Sequence, residues 1–165
     1  MTDAPLTDPV ETPWYEVVSF PALLRNARSI YGAAMRRALE EAGFDDIPGN
    51  GLYVIGGLAL GAGDAPLSAL INDLKVSKQA AGQLIDTLVM RGYLTREVDP
   101  NDRRRLVVTL TERGRAAAEA QAAGRAEVDA ALNALVGERA VQVTRKVLAA
   151  VISIGRSRGE DDEAH

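Results

Sequence analysis

Leu67-Ser68-Ala69-Leu70-Ile71-Asn72-Asp73-Leu74 runs into the corner Lys75-Val76-Ser77, and the stretch Lys78 to Arg91 follows, closed by Gly92. Next come Tyr93-Leu94-Thr95-Arg96-Glu97-Val98, the polar loop Asp99-Pro100-Asn101-Asp102-Arg103-Arg104, and Arg105-Leu106-Val107-Val108-Thr109-Leu110. Leu67, Leu70, Ile71 and Leu74 recur at helical spacing, as do Ala81, Leu84, Ile85 and Leu88. Two apolar-faced helices joined by a tight corner, then a basic strand–loop–strand, have the layout of a winged helix-turn-helix. That motif puts its second helix in the major groove of DNA and lays the hairpin along the backbone.

Local chemistry supports each piece. Ser77 stands at an N-cap position, where its side-chain oxygen accepts an orphan backbone N–H. Gly92 stands at C′, where a positive φ is needed. The outer face of the second helix carries Lys78, Gln79, Gly82, Gln83, Asp86 and Thr87. Gln matches the N6/N7 edge of adenine, Lys matches a phosphate, and Gly82 permits close approach. The expected DNA contacts are phosphate for Ser77 and Lys78 and base edges for Gln79 and Gln83. A solvated helix face is the bland alternative. At the corner, Lys75 stands where such turns often have glycine, and a positive φ there would cost lysine about 1 kcal/mol.

The chain resembles the MarR family of bacterial transcription regulators. The resemblance is carried by Leu74-Lys75-Val76-Ser77, Leu84-Ile85-Asp86-Thr87-Leu88, Arg91-Gly92-Tyr93-Leu94, the loop 99–104, and Leu110-Thr111-Glu112-Arg113-Gly114. The specific part is Asp-x-Arg at the wing, followed by a strand and Leu-Thr-x-x-Gly. It implies that Arg104 pairs with Asp86 and so orients the wing, that Arg103, Arg104 and Arg105 take minor-groove or phosphate contacts, that helices flanking the winged domain intertwine as a homodimer, and that DNA binding answers to a small aromatic or anionic effector. The flanks carry no signature residues.

Composition sets outer bounds. At 165 residues the chain can bury a sizeable core. Its net charge is −4, yet Lys75 to Arg105 holds seven basic residues against four acidic ones, a net +3. The acidic surplus lies toward the ends, as in Glu160-Asp161-Asp162-Glu163. Cysteine is absent and the single histidine is His165, which removes disulfides, thiol sensing, thiolate metal sites and histidine catalysis. The expectation is a protein that is not an enzyme, with no cofactor and no metal. Asp99-x-Asn101-Asp102 lacks the glycine of a calcium loop and adjoins three arginines. No apolar run reaches membrane-spanning length, and Met1-Thr2-Asp3-Ala4-Pro5 is no secretory signal, so a cytoplasmic protein with no membrane partner is expected.

The flanks read as helices. The expected division is an irregular arm at 1–18, N-terminal helices at 19–63, the DNA-binding domain at 64–110, C-terminal dimerisation helices at 111–156 and an acidic tail at 157–165. Phe20 to Ala42 keeps helical spacing, with Ser19 as cap and Gly43 as stop. Leu52 to Leu60 is helical but crowded by Gly51, Gly56 and Gly57, which suits a kink, a close crossing or a cavity wall. Thr111 caps an alanine-rich helix that ends at Gly137, and a last helix runs to about Ile154. Tyr31, Trp14 and Arg28 are candidates to line an effector pocket. The fold class is therefore mainly α with a small β-hairpin wing. The function expected is a sequence-specific regulator, a ligand-responsive repressor on a palindromic double-stranded operator. The alternative is a winged-helix interaction module or ligand-binding dimer without DNA binding.

Overall fold

The computed structural model describes residues 12–74 and 76–163, with 155–163 as backbone only. Lys75, most of the N-terminal arm and His165 lie outside the described residues. The elements are α1 (Trp14–Val17), α2 (Phe20–Glu41), α3 (Gly51–Leu60), β1 (Asp64–Pro66), α4 (Leu67–Asp73), α5 (Lys78–Met90), β2 (Leu94–Val98), β3 (Leu106–Leu110), α6 (Glu112–Val136) and α7 (Glu138–Glu163).

Three of these depart from the sequence reading. The arm contains the short helix α1. The final helix continues past Ile154 to Glu163, although Gly155, Ser157 and Gly159 are weak helix formers. The hairpin gains a third strand: β1 pairs antiparallel with β3, giving the order β1-β3-β2. β3 is thus the middle strand of the sheet. Pro66 is tolerated because β1 is an edge.

Helix ends follow the expected chemistry. At the end of α2 the Phe44 N–H donates to Leu39 O at 2.8 Å, across Gly43 at φ 81°. At the end of α5 the Tyr93 N–H donates to Leu88 O at 2.9 Å, across Gly92 at φ 75°. Both are Schellman closures, in which a left-handed residue lets an outer N–H reach back to an otherwise unpaired carbonyl. Ser19 occupies the cap position of α2 without a side-chain cap bond.

The core lies where α3, α5 and the sheet meet α2 and α6. Leu52, Ile55, Ile85, Leu88, Tyr93 and Val108 are buried in it. Two glycines in α6 set how closely its neighbours approach. A Cβ on Gly124 would lie 2.6 Å from Ala34 O of α2, and one on Gly114 would lie 2.1 Å from Tyr93 O. The Leu-Thr-x-x-Gly run therefore has a physical explanation. Thr111 accepts the Gly114 N–H at 2.9 Å to cap α6, and its hydroxyl donates to Gly92 O at 2.6 Å. Gly114 leaves room for the Tyr93 carbonyl. Together they join the start of α6 to the junction between α5 and β2.

Candidate nucleic-acid interface

Helix α5 turns one face inward through Ala81, Ile85 and Leu88 and leaves the other in solvent. Its capping residue works as expected: Ser77 Oγ accepts the Ala80 N–H at 3.2 Å. The cap uses an oxygen lone pair, so the Ser77 hydroxyl proton is still free to donate. Lys78, Gln79 and Gln83 are exposed, and no hydrogen bond or ion pair engages their side chains among the described residues. Thr87 Oγ1 donates to the Gln83 carbonyl at 2.8 Å, which leaves the Gln83 amide unengaged.

The wing loop spends its acidic residues on its own shape. Asp99 Oδ1 accepts the Asn101 N–H at 2.8 Å and Asp102 Oδ1 accepts the Arg104 N–H at 3.0 Å. The Asp99 N–H to Arg105 O bond, 2.9 Å, closes the loop. Such Asx turns fix a short loop without secondary structure. Arg103, Arg104 and Arg105 are exposed. Arg105 Nε lies 3.9 Å from Asp102 Oδ2, a loose surface pair. Arg104 and Arg105 meet Lys78 across a groove of ≈ 490 Å³, whose floor includes Leu67, Ile71, Val76 and Leu106. Helix α5 and the wing loop therefore present their cations to one shared slot.

The expected Asp86–Arg104 pair is not formed. Asp86 Oδ1 instead receives Arg96 Nη2 at 2.5 Å. The topology explains this. Strand β2 is the wing strand that packs on α5, whereas Arg104 sits in the loop and lines the groove beside α4. Strand alternation already contained the signal: Leu94 is buried, so Arg96, two residues on, shares its helix-facing side.

A second cluster was not foreseen. The Tyr93 hydroxyl donates to Asp46 Oδ1 in a short hydrogen bond. Arg113 Nη2 donates to Asp46 Oδ1 at 3.2 Å and to Tyr93 Oη at 3.0 Å. The Arg113 guanidinium also stacks 4.6 Å over the Tyr93 ring. The Tyr93 hydrogen bond holds the Asp46 carboxyl below its ordinary pKa, while burial, and then the Asp46 bond, push the Tyr93 phenol up. The cluster ties the α2–α3 loop, the start of β2 and the start of α6.

The proposed pocket residues disperse. Tyr31 Oη donates to Asp129 at 2.6 Å, Arg28 stacks 4.6 Å over the Tyr53 ring, and Trp14 is exposed beside Leu23 and Ile30. A different cleft, of ≈ 380 Å³, opens between α3 and α6 and is lined by Gly56, Leu60, Arg115, Gln121 and Arg125 among others. Gln121 is 3% exposed, and its Oε1 has no partner among the described residues. A Cβ on Gly56 would lie 2.0 Å from Gln121 Nε2, so this glycine marks a close crossing at a cavity wall. Among the described residues no group of acidic or histidine side chains could hold a metal, and no helix is long and apolar enough to cross a membrane.

Residues 46–105 match the MarR family. No curated protein matches the chain by sequence. Among solved structures, the chain is similar to a MepR variant from multidrug resistant S. aureus, with TM-score 0.68 and 20% identity, over 83% of this chain and 97% of that one. It is similar to NadR in complex with 4-hydroxyphenylacetate, with TM-score 0.66 and 22% identity, over 87% and 97%. It is also similar to a variant of MarR from E. coli complexed with operator DNA, with TM-score 0.65 and 21% identity, over 85% and 98%.

Proposed function

We propose that this chain is a MarR-type regulator, a cytoplasmic homodimer that binds double-stranded DNA sequence-specifically and regulates transcription; the match of residues 46–105 to the MarR family supports this. The carrying observation is the shared slot: Lys78 at the start of α5 and Arg104 and Arg105 on the wing converge on one groove. Ser77 and Lys78 hold phosphates and Gln79 and Gln83 read base edges, while Arg103, Arg104 and Arg105 take phosphate or the minor groove. The operator complex of a MarR variant with the same fold supports this use of the surface.

Residues 64–110 form the DNA-binding unit, and the flanking helices form the dimer. Val143, Val147, Val151 and Ile152 on α7 and Leu135 on α6 are exposed, which suits cover by a second copy. A two-fold dimer places two recognition helices one helical turn apart and so favours a palindromic operator.

The regulator is a ligand-responsive repressor whose effector occupies the cleft between α3 and α6. Arg115 and Arg125 suit an anionic group, and the unpartnered Gln121 Oε1 suits a hydrogen-bond donor on the ligand. NadR, of similar fold, is seen with 4-hydroxyphenylacetate, which makes small aromatic acids the first effectors to try.

Footprinting on the DNA flanking its own gene, with and without 4-hydroxyphenylacetate, tests both parts. Protection of two half-sites a helical turn apart is expected, together with weakening by the effector. Affinity for duplex should fall steeply with salt as counterions are released. Duplex binding that is absent, or indifferent to salt, would favour an interaction module or ligand-binding dimer instead.

A further inference from the structure

Asp86 is the single carboxylate on the exposed face of α5, amid Lys78, Gln79 and Gln83. Arg96 meets it at 2.5 Å from the neighbouring wing strand, with its side chain 30% exposed against 59% for Asp86. Arg96 therefore lies partly between helix and strand, where its guanidinium is constrained, rather than out in solvent. Arg104 carries no described side-chain partner and lines the slot with Lys78.

We infer that Arg96 is the positioning residue that sets the wing against the recognition helix, acting through Asp86, and that Arg104 is thereby released to contact DNA directly. This rests on the DNA-binding reading. The two arginines then have separable signatures. A positioning residue alters how well the operator is told from other DNA, without itself displacing a counterion. A contact residue changes the salt dependence.

The test uses the full-length protein, titrated on the operator and on scrambled duplex at several salt concentrations. Arg96→Ala should lower the ratio of operator to scrambled affinity roughly tenfold, within the range of coupled neighbours, and leave the salt slope unchanged. Arg104→Ala should reduce the slope by about 0.9 for the lost phosphate contact. Asp86→Ala should reproduce the lost ratio, and the Asp86→Ala/Arg96→Ala double variant should add little to either single change. Arg96→Lys should restore part of the ratio, since an ammonium keeps the ion pair.

Hydrogen exchange of the wing amides at 99–105 gives a reading without DNA: Arg96→Ala, Asp86→Ala and the double variant should speed it equally. Additive effects of the two changes, or a reduced salt slope for Arg96→Ala, would overturn the inference. If the wild type bound no duplex, the DNA-binding reading would fall. The exchange data would then still decide whether the pair holds the wing.

Discussion

Helices α5 and α7 treat their apolar residues in opposite ways. In α5, Ala81, Ile85 and Leu88 are fully buried within the chain and the opposite face is polar. In α7, none of the described side chains is buried, and Val143, Val147, Val151, Ile152 and Ile154 lie exposed. One helix is satisfied by its own fold and offers solvent a polar face. The other repeats the helical spacing of a core element without a core to enter. The contrast is between an apolar face covered within one chain, that of α5, and one left uncovered, that of α7, which suits the proposed cover by a second copy.

The largest expected effect breaks the second half of that comparison. Val147→Glu with Val151→Glu should convert a particle of twice the chain mass into a monomer by light scattering. Losing the second half-site removes the avidity of paired binding, so operator affinity should fall roughly a hundredfold or more. The same changes should leave the winged helix folded by circular dichroism. An unchanged mass would mean that α7 is not the dimer surface.

Two glycines sharpen the first half. Gly114 packs against the Tyr93 carbonyl, and a methyl group there must displace backbone. Gly114→Ala should cost about 3 kcal/mol in urea unfolding, the upper range for overpacking. Gly82 has nothing within 4 Å of an added Cβ and sits inside α5. Gly82→Ala should therefore stabilise by about 0.5–1 kcal/mol, yet weaken operator binding if DNA approaches that face closely. Equal stability effects at the two sites would contradict the packing described.

The same contrast explains what the sequence disclosed. Helix spacing, the Gly43 and Gly92 stops and the Thr111 cap are local, so short-range rules found them. β1 was missed because three residues with a proline carry no alternation; it forms only because β3 offers a free edge. The Asp86 partner was misassigned by leaning on a resemblance, although alternation from Leu94 to Arg96 held the answer. Nothing in the sequence singles out Gln121 within its alanine-rich helix. Its burial depends on Gly56 across a helix crossing, and no local pattern records that.

A smaller effect distinguishes reading from holding on α5. Gln79→Ala or Gln83→Ala should cost about 1–3 kcal/mol on the operator and relax base preference at one position per half-site. Lys78→Ala should weaken operator and scrambled duplex alike and flatten the salt slope. Equal losses on both duplexes for the glutamine variants would leave the wing as the main DNA contact.

The smallest effect lies where the two regions are stitched together, at Asp46, Tyr93 and Arg113. The folded Asp46 pKa is lowered, chiefly by the Tyr93 hydrogen bond. Its contribution is therefore complete above the ordinary carboxylate value of about 3.9 and is lost as pH falls through the lowered folded value. The folded Tyr93 pKa is raised, first by burial. Its contribution is complete below the ordinary phenol value of about 10 and is lost as pH rises through the raised one. Tyr93→Phe should flatten both limbs of a stability-against-pH curve, most clearly below about pH 4 and above about pH 10. The amplitude should be small, because Asp46 and Arg113 are partly open to solvent and screened. An acid limb identical to wild type would show that the hydrogen bond does not set the carboxyl's affinity for its proton. The tie between the start of β2 and the helical frame would then rest on ring packing and the Arg113–Asp46 ion pair.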